Sequence, residues 1–239
     1  KDIVAVFQKK ERENVNNYVM RSFLTLSTLK RYEARRLIVA FPYFAYARQD
    51  NEFRVGEPVS CGIVARIFED SGVTDFITVT SHVHRITGLD KWFPKIKQYD
   101  VSGITALGEF VKTKVKSPEE FIVFAPDSEG LTWAKEMADL IGSHQVSALE
   151  KERDVNTGEI MQKIIQDVDI KGKSVLLVDD IVSTGKTTAR AANMLRKKMG
   201  AKKVAFTGGE PLVYAGLYEI LETASALHLA TSLYTTGVK

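Results

Sequence analysis

The sequence predicts an α/β fold built from two consecutive units, each a mostly parallel sheet flanked by helices. Short apolar runs of strand length alternate with segments of helical apolar spacing along the whole chain, without a repeat of short period. Polar segments follow the carboxyl ends of the apolar runs, which is where open parallel sheets bind their ligands. The two sets of elements meet near Tyr99, so we expect domains over residues 1–98 and 99–239.

The first unit contains three predicted strands and two predicted helices in alternation. In chain order they are strand 2–7, helix 14–32, strand 37–41, helix 60–69 and strand 75–79. Pro42 ends the second strand because proline cannot donate a ladder hydrogen bond, and Gly72 follows the second helix, as is typical of helix C-termini. The stretches 43–58 and 80–99 are predicted to be irregular.

The second unit has the same alternation and begins with a helix that Ser102 caps. Its predicted elements are helix 102–111, strand 121–125, helix 129–141, strand 146–149, polar loop 151–158, strand 175–178, a helix ending at residue 200, strand 204–206, helix 212–221 and strand 226–230. The apolar run at 175–178 is short enough for a buried parallel strand.

Composition narrows the class of protein. The 239 residues are 44% hydrophobic and 26% charged, which is ordinary for a globular chain. A net charge of +3 suits small anionic substrates but is too mild to indicate nucleic acid. The single cysteine, Cys61, excludes an internal disulfide and favours a reducing compartment such as the cytoplasm. No apolar run approaches the roughly 18 residues of a membrane span.

Because Lys1 leads directly into a strand, we expect residues to be missing before it.

The segment that follows the strand at 175–178 has the chemistry of an anion site. Asp179 and Asp180 come first, then a small hydroxyl-rich loop, and then a helix. Free backbone N–H groups and the positive helix end meet at such a turn. The hydroxyls there belong to Ser183, Thr184 and Thr187. An acidic pair beside a phosphate cradle can hold sugar hydroxyls or a metal-bound sugar; the alternative is a tight turn with a capping hydroxyl.

A nucleotide P-loop is excluded at this segment although Gly185, Lys186 and Thr187 suggest one. That motif requires a glycine five residues before Gly185, and position 180 is an aspartate.

Four further polar segments follow predicted strands, and each has a functional and a structural interpretation. Arg48 and Gln49, in an aromatic loop, could bind a planar base or a phosphate, or could belong to a packed surface loop with Arg48 paired to Asp50. His82 could bind a nucleotide or its metal, or be an ordinary strand-end histidine.

The remaining two segments lie in the second unit. Asp127 could bind a metal beside a pyrophosphate, or cap a helix. Lys151 and Arg153 could contact phosphates, or belong to a charged, solvated hairpin.

Five motifs in this order resemble those of the ribose-phosphate pyrophosphokinases. They are Pro-Tyr-Phe-Ala-Tyr-Ala-Arg-Gln-Asp at 42–50, Thr-Ser-His at 80–82, Pro-Asp followed by Gly130, Glu-Lys-Glu-Arg-Asp at 150–154, and Asp-Asp-x-x-Ser-Thr-Gly-x-Thr at 179–187. Gly-Glu-Pro-Val-Ser at 56–60 is similar to the archaeal branch. The resemblance runs from Asp2 to about Leu229 and implies two phosphoribosyltransferase-like domains, with the Phe-Pro-Asp-Gly-Glu segment of longer members absent.

The resemblance also implies roles for individual residues. It assigns ATP binding to Arg48, Gln49, Asp50 and His82, Mg²⁺ binding to His82 and Asp127, and catalysis to Lys151 and Arg153 on a mobile loop. It assigns ribose 5-phosphate binding to Asp179, Asp180, Ser183, Thr184, Gly185, Lys186 and Thr187. The chain departs from the family pattern at Asn51, Glu52, Thr80 and Lys186.

The function implied is transfer of the diphosphoryl group of ATP to the 1-hydroxyl of ribose 5-phosphate, giving phosphoribosyl pyrophosphate and AMP. The family implies a homo-oligomer, either a dimer or a hexamer. Two alternatives stay open: a phosphoribosyltransferase that uses the same loop, and a catalytically silent regulatory paralogue.

Overall fold

The computed structural model describes residues 1–10, 13–82, 88–153, 160–180 and 186–207, and at 151–153, 160–162 and 186 it describes the backbone. The chain forms two compact units, Lys1–Ser102 and Gly103–Lys239.

The first unit is a four-stranded parallel sheet with two helices. Its elements are β1 (Asp2–Val6), α1 (Val15–Lys30), β2 (Arg36–Ala40), α2 (Ser60–Asp70), β3 (Asp75–Val79), a 3₁₀ turn (Leu89–Lys91) and β4 (Lys97–Val101). The strand order is β1-β2-β3-β4. Because all four strands run in one direction, the segments that follow β2 and β3 leave the sheet at the same edge.

Aromatic side chains fill the core of this unit. Phe41, Phe68 and Phe76 are fully buried, and Phe41 packs edge-on to Phe68 with ring centroids 5.0 Å apart. Tyr18 of α1 stacks on Phe41 at 4.5 Å, and its hydroxyl donates to the Phe7 carbonyl. Such pairs contribute about 0.5–1.5 kcal/mol beyond their area burial, so they fix the base of the loop that follows β2.

The second unit is a five-stranded mixed sheet. Its helices and strands are α3 (Gly103–Lys112), β5 (Phe121–Ala125), α4 (Leu131–Ile141), β6 (Val146–Arg153), β7 (Ile160–Ile164), β8 (Ser174–Val178), α5 (Lys186–Asn193) and β9 (Lys203–Thr207). Short turns lie at Pro118–Glu120, Ser128–Gly130 and Met194–Lys198. The order is β7-β6-β5-β8-β9, with β7 antiparallel to β6 and the other neighbours parallel.

The central strands β5 and β8 are buried on both faces. Val123 and Leu176 pack in one core with α3 and α4. Phe124 and Leu177 pack in a second core with α5 and β9. A strand that is covered on both sides needs apolar residues at successive positions. For this reason the sequences of β5 and β8 contain unbroken apolar runs.

The α/β prediction is confirmed, and the structure agrees with the predicted strands at 75–79 and 121–125. It differs at 80–99, which was expected to be irregular but contains a 3₁₀ turn and the first three residues of β4. This edge strand (Lys-Gln-Tyr-Asp-Val) is largely exposed and mostly polar, so it lacks an apolar run. The predicted domain boundary at 98 falls inside β4, whereas the units divide after Ser102.

Three other elements differ from the prediction. The helix expected from residue 129 begins at Leu131, after a 3₁₀ turn. The helix expected to end at residue 200 is α-helical to Asn193 and continues as a π-helical turn. Lys151–Arg153, expected in a loop, extend β6. The predicted helix 212–221 and strand 226–230 lie outside the described residues.

Within the described part of the chain, no helix has the length and apolar character needed to cross a membrane.

Candidate functional site

Two neighbouring strands of the second unit bring three carboxylates to one edge of the sheet. β5 pairs with β8 in the register Phe124–Leu177. Asp127 follows the end of β5, and Asp179 and Asp180 follow the end of β8. Parallel pairing therefore directs both segments to the same edge, as expected for a ligand site.

The Asp179–Asp180 pair is held by backbone contacts. The Asp179 N–H donates to the Thr207 carbonyl of β9 at 3.2 Å. The Asp180 N–H donates to Oδ1 of Asp179 at 3.1 Å. Asp180 is only 6% exposed, and Asp179 is half-buried. The two carboxylates are thus fixed at the strand end.

Electrostatics distinguish Asp179 from ordinary aspartates. Burial, followed by the nearby charges of Asp180 and Asp127, raises the pKa of Asp179 well above its usual range. Like charges are unfavourable in such a position unless a ligand offsets them. Perturbed carboxylates at a strand end are typical of functional sites.

The structure describes part of the expected phosphate loop. Ser183, Thr184 and Gly185 lie outside the described residues. Lys186 is the first residue of α5, and Thr187, the second, is half-buried. The start of α5 therefore follows directly on the loop, where helix N–H groups lack helical partners.

Lys151 and Arg153 lie on the carboxyl-terminal half of β6. In the antiparallel pair with β7, Lys151 lies opposite Gln162 and Arg153 opposite Ile160. The prediction of a loop at these positions was wrong, because Glu-Lys-Glu-Arg lacks the apolar alternation by which strands are identified. The antiparallel pairing of β6 with β7 concerns the backbone, and the roles of Lys151 and Arg153 stay a prediction.

The aromatic loop of the first unit divides into core and surface residues. Phe41 and Phe44 are 0% and 3% exposed, so they are core residues and cannot flank a base. Tyr43 is 37% exposed and stacks on Tyr18 with centroids 6.4 Å apart. Tyr46 is half-buried and has φ 66°. The tyrosines are therefore the ring surfaces that residues 41–46 offer to a ligand.

The three expected ATP-binding residues that follow differ in exposure. Arg48 is exposed, Gln49 is half-buried and Asp50 is 3% exposed. The Gln49 carbonyl accepts from the Cys61 N–H at 3.2 Å, and its Nε2 donates to the Asn51 carbonyl at 3.3 Å. Gln49 thus ties the loop to the start of α2, and Arg48 is the side chain best exposed to a ligand.

His82 lies at the same edge of the first sheet. The Pro42 carbonyl, at the start of the aromatic loop, accepts from the Val79 N–H at 3.1 Å and from Oγ1 of Thr78 at 3.2 Å. His82 follows three residues after Val79 and is 5% exposed. The sheet therefore brings the Arg48–Asp50 loop and the His82 turn to one edge.

The carboxylates at the edge of the second sheet fit a magnesium ion that is shared with a substrate. In the described ranges, no group of three or more His, Cys, Asp or Glu side chains has a metal-binding arrangement. His82 and Asp127, the two expected ligands, belong to different units. Mg²⁺ is commonly held by one or two carboxylates together with substrate phosphates. Asp127 and the acidic pair offer such carboxylates.

Sequence reasoning missed three residues around these edges. Ser81 is hydrogen-bonded to Asp100 on β4. Gly130 packs against the end of β5. Ser81 and Gly130 lie within motifs but carry no assigned role there, and Asp100 lies outside every motif, because each acts through its contacts and not through its own chemistry.

Two family models match the chain, one in each unit. The N-terminal domain of ribose phosphate pyrophosphokinase matches residues 1–72, and the phosphoribosyl transferase domain matches residues 103–207.

Individual relatives give the same result. The ribose-phosphate pyrophosphokinase of Sulfolobus acidocaldarius is 33% identical over 217 residues, which cover 91% of this chain and 72% of the relative. That of Bacillus caldolyticus is 30% identical, covering 91% and 66%. The crystal structure of the Mycobacterium smegmatis phosphoribosylpyrophosphate synthetase superposes with a TM-score of 0.75 at 26% identity, covering 92% of this chain and 67% of that one. The chain thus spans about two thirds of the length of its relatives, and it belongs to the ribose-phosphate pyrophosphokinase family.

Proposed function

We propose that this protein transfers the diphosphoryl group of ATP to the 1-hydroxyl of ribose 5-phosphate, forming phosphoribosyl pyrophosphate and AMP. The observation that carries the proposal is the Asp179–Asp180 pair between β8 and α5, which is half-buried at Asp179 and buried at Asp180, in a chain 33% identical to a ribose-phosphate pyrophosphokinase. An acidic pair beside a helix start suits a phosphorylated sugar, because carboxylates accept from sugar hydroxyls while the N–H groups donate to phosphate.

The sugar phosphate would bind at the edge of the second sheet. Its 5-phosphate would lie on the segment from Ser183 through Gly185 to Thr187, at the start of α5. Its ring hydroxyls would donate to Asp179 and Asp180. The raised pKa of Asp179 supports this assignment, since hydrogen bonds from hydroxyls would stabilise the charged carboxylate.

ATP would bind at the edge of the first sheet. Arg48 would contact the nucleotide by stacking or by charge, with Gln49 and Asp50 shaping the loop around it. The exposed guanidinium of Arg48 is suited to both kinds of contact. His82, at the neighbouring strand end, would contact the triphosphate and its metal.

The reaction then needs positioning and charge neutralisation more than covalent catalysis. The ribose 1-oxygen attacks the β-phosphorus in line and loses its proton, and the bond between the β-phosphorus and the oxygen bridging to the α-phosphorus breaks. AMP leaves with the electron pair of that bond. Lys151 and Arg153 would donate to the oxygens on which negative charge develops.

Asp127 in the second unit and His82 in the first would each be able to contact Mg²⁺ bound with the substrate phosphates of its own unit, and the ion when bound would supply charge neutralisation on the phosphate oxygens. The side chains of this protein would then have to orient both substrates and exclude water.

Two alternative functions differ from diphosphoryl transfer in the ligands that the protein would bind and in whether it would turn them over. A phosphoribosyltransferase would bind phosphoribosyl pyrophosphate and a free base, without ATP. A silent paralogue would bind ribose 5-phosphate without turnover, and Asn51, Glu52 and Thr80 favour it because they depart from the family pattern. We also expect a cytoplasmic homo-oligomer, either a dimer or a hexamer, which light scattering would test.

The deciding experiment measures AMP released from ATP, Mg²⁺ and ribose 5-phosphate, with each omitted in turn. AMP that requires all three supports the proposal. Binding of ribose 5-phosphate without AMP supports the silent paralogue. Binding of a free base, in a mixture where ATP does not bind, supports the phosphoribosyltransferase and contradicts our proposal.

A further inference from the structure

The turn at the end of β3 is fixed by three successive backbone hydrogen bonds. The N–H of Val79 donates to the Pro42 carbonyl at 3.1 Å, and that of Thr80 donates to the Val101 carbonyl at 2.9 Å. The N–H of Ser81 donates to Oδ1 of Asp100 at 3.0 Å. The third bond differs from the others because its acceptor is a side chain on β4.

Ser81 and Asp100 are joined twice. The Ser81 hydroxyl donates to Oδ2 of Asp100, so the carboxylate accepts both the amide and the hydroxyl of one residue. Ser81 is 7% exposed, whereas Asp100 lies on the exposed edge strand. Hydrogen bonds to a charged acceptor are about twice as strong as neutral ones. Asp100 therefore anchors a buried turn from the edge of the sheet.

The same turn has an unfavourable backbone conformation. Thr80 has φ 44°, which a β-branched residue rarely adopts. Such conformations persist only where surrounding contacts over-determine them, and they occur most often at functional sites. Here the hydrogen bonds on both sides of Thr80 supply those contacts.

His82 directly follows Ser81 in the chain. It is 5% exposed, so its imidazole lies against the protein, two residues after the left-handed Thr80. Its position depends on the direction in which the chain leaves Ser81. Without the carboxylate of Asp100, the buried amide and hydroxyl of Ser81 would lose their acceptor. The turn would then rearrange so that these groups could hydrogen-bond to water.

We infer that Ser81 and Asp100 are positioning residues that hold His82 where MgATP is to bind. This inference rests on the proposed function, because it takes His82 as a contact of the nucleotide. Neither Ser81 nor Asp100 needs to touch the substrate, and the expected effect is on ATP and not on ribose 5-phosphate.

The test compares Asp100→Ala with Asp100→Asn. The alanine variant removes both acceptors, whereas the asparagine variant keeps an oxygen for the Ser81 N–H. Asp70→Ala is the matched control, since Asp70 is an exposed aspartate at the end of α2 in the same unit. We expect Asp100→Ala to raise the KM for ATP about tenfold and to leave the KM for ribose 5-phosphate within about twofold. Asp100→Asn should bring the KM for ATP most of the way back to the wild-type value.

A second readout does not depend on turnover. The proton resonances of the His82 imidazole, assigned with His82→Gln, should shift in Asp100→Ala and return in Asp100→Asn at constant pH. If the wild-type chain makes no AMP, the proposed function fails, while this resonance still tests the contact. Should Asp100→Ala fail to fold, Ser81→Ala removes the hydroxyl donor alone. An unchanged His82 resonance together with an unchanged KM for ATP would overturn the inference.

Discussion

Gly130 lies so close to Ala125 that a Cβ added to the glycine would stand 3.0 Å from the Cβ of the alanine. The added atom would also lie 3.7 Å from the carbonyl oxygen of Val178. Asp127 is in the turn between Ala125 and Gly130, and Asp179 follows Val178. The absence of a side chain at Gly130 therefore sets how closely the Asp127 turn approaches the acidic pair.

The first prediction concerns Gly130→Ala. The methyl group would push the 3₁₀ turn away from β5 and β8, so we expect a loss of about 1–3 kcal/mol in the free energy of unfolding. The same displacement should lower turnover by about tenfold, since a misplacement of about 1 Å can cost 10²-fold. Thermal unfolding and the AMP assay measure the two effects.

Gly172→Ala is the control for this prediction. Gly172 has φ 75° and no atom within 4 Å of an added Cβ, so alanine there would cost about 1–2 kcal/mol through the backbone alone. Its turnover at a permissive temperature should match that of the wild type. If Gly130→Ala loses stability but keeps full turnover, the glycine serves packing only.

The second prediction uses the raised pKa of Asp179. Because the pKa of Asp179 in the folded state lies well above the ordinary aspartate value of 3.8, the folded state binds this proton more strongly than the unfolded state. The stability that Asp179 contributes is therefore present at low pH and is lost as the pH rises through the folded pKa. Asp179→Asn should remove that loss, so the variant should be more stable than the wild type at pH 8.

The same substitution should strongly lower ribose 5-phosphate turnover, because the amide keeps one accepting oxygen but loses the negative charge that strengthens hydrogen bonds from the sugar hydroxyls. Tm measured from pH 4 to pH 9, together with AMP formation, tests both effects. Asp169→Asn, at an exposed aspartate of the same unit, should leave the pH profile and the turnover unchanged. A variant less stable than the wild type at pH 8 would contradict the electrostatic account.

The buried strands could be predicted from the sequence because burial on both faces requires unbroken apolar runs. Val-Leu-Leu-Val at 175–178 and Phe-Ile-Val-Phe-Ala at 121–125 are such runs. β4 and the end of β6 could not be predicted in this way. Their residues are polar or exposed, and pairing with a neighbouring strand, not burial, makes them strands.

The candidate site likewise has residues that could be predicted from the sequence and residues that could not. The acidic pair carries its chemistry in its own side chains and stands directly after a recognisable strand, so the sequence predicts it. Ser81 and Asp100 are separated by 19 residues, and only the register of β3 with β4 brings them together. The sequence gives no sign that Phe44 is buried while Tyr43, one position earlier, is exposed.

The third prediction concerns the β6–β7 hairpin. Lys151→Ala and Arg153→Ala should each lower turnover by about 10²–10³-fold, the usual cost of losing one donor to developing negative charge. Folding should be retained, since alanine keeps the backbone pairing of β6 with β7. Single-turnover kinetics at saturating substrates separate this loss from a loss of binding.

Lys163→Ala is the matched control on the same hairpin, because Lys163 is an exposed lysine of β7 that lies opposite Glu150. It should keep turnover within about twofold of the wild type. Near wild-type turnover in Lys151→Ala would contradict a catalytic role for Lys151.

The last prediction concerns Arg48. Its guanidinium is exposed in the loop after β2, close enough to Tyr43 that its charge acts to lower the pKa of that phenol while burial raises it. A cation beside an exposed ring is suited to a base or a phosphate. Arg48→Ala should therefore raise the Kd for ATP about tenfold, as measured by calorimetry without ribose 5-phosphate.

Arg66→Ala, at an exposed arginine of α2, controls for the loss of one positive charge from the same unit. It should change the Kd for ATP only through the long-range field, which salt at about 0.15 M screens beyond roughly 8 Å. If both variants weaken ATP binding equally and the loss disappears with added salt, the effect is general attraction. A loss confined to Arg48→Ala and resistant to salt requires a direct contact, and the loop after β2 is then part of the nucleotide site.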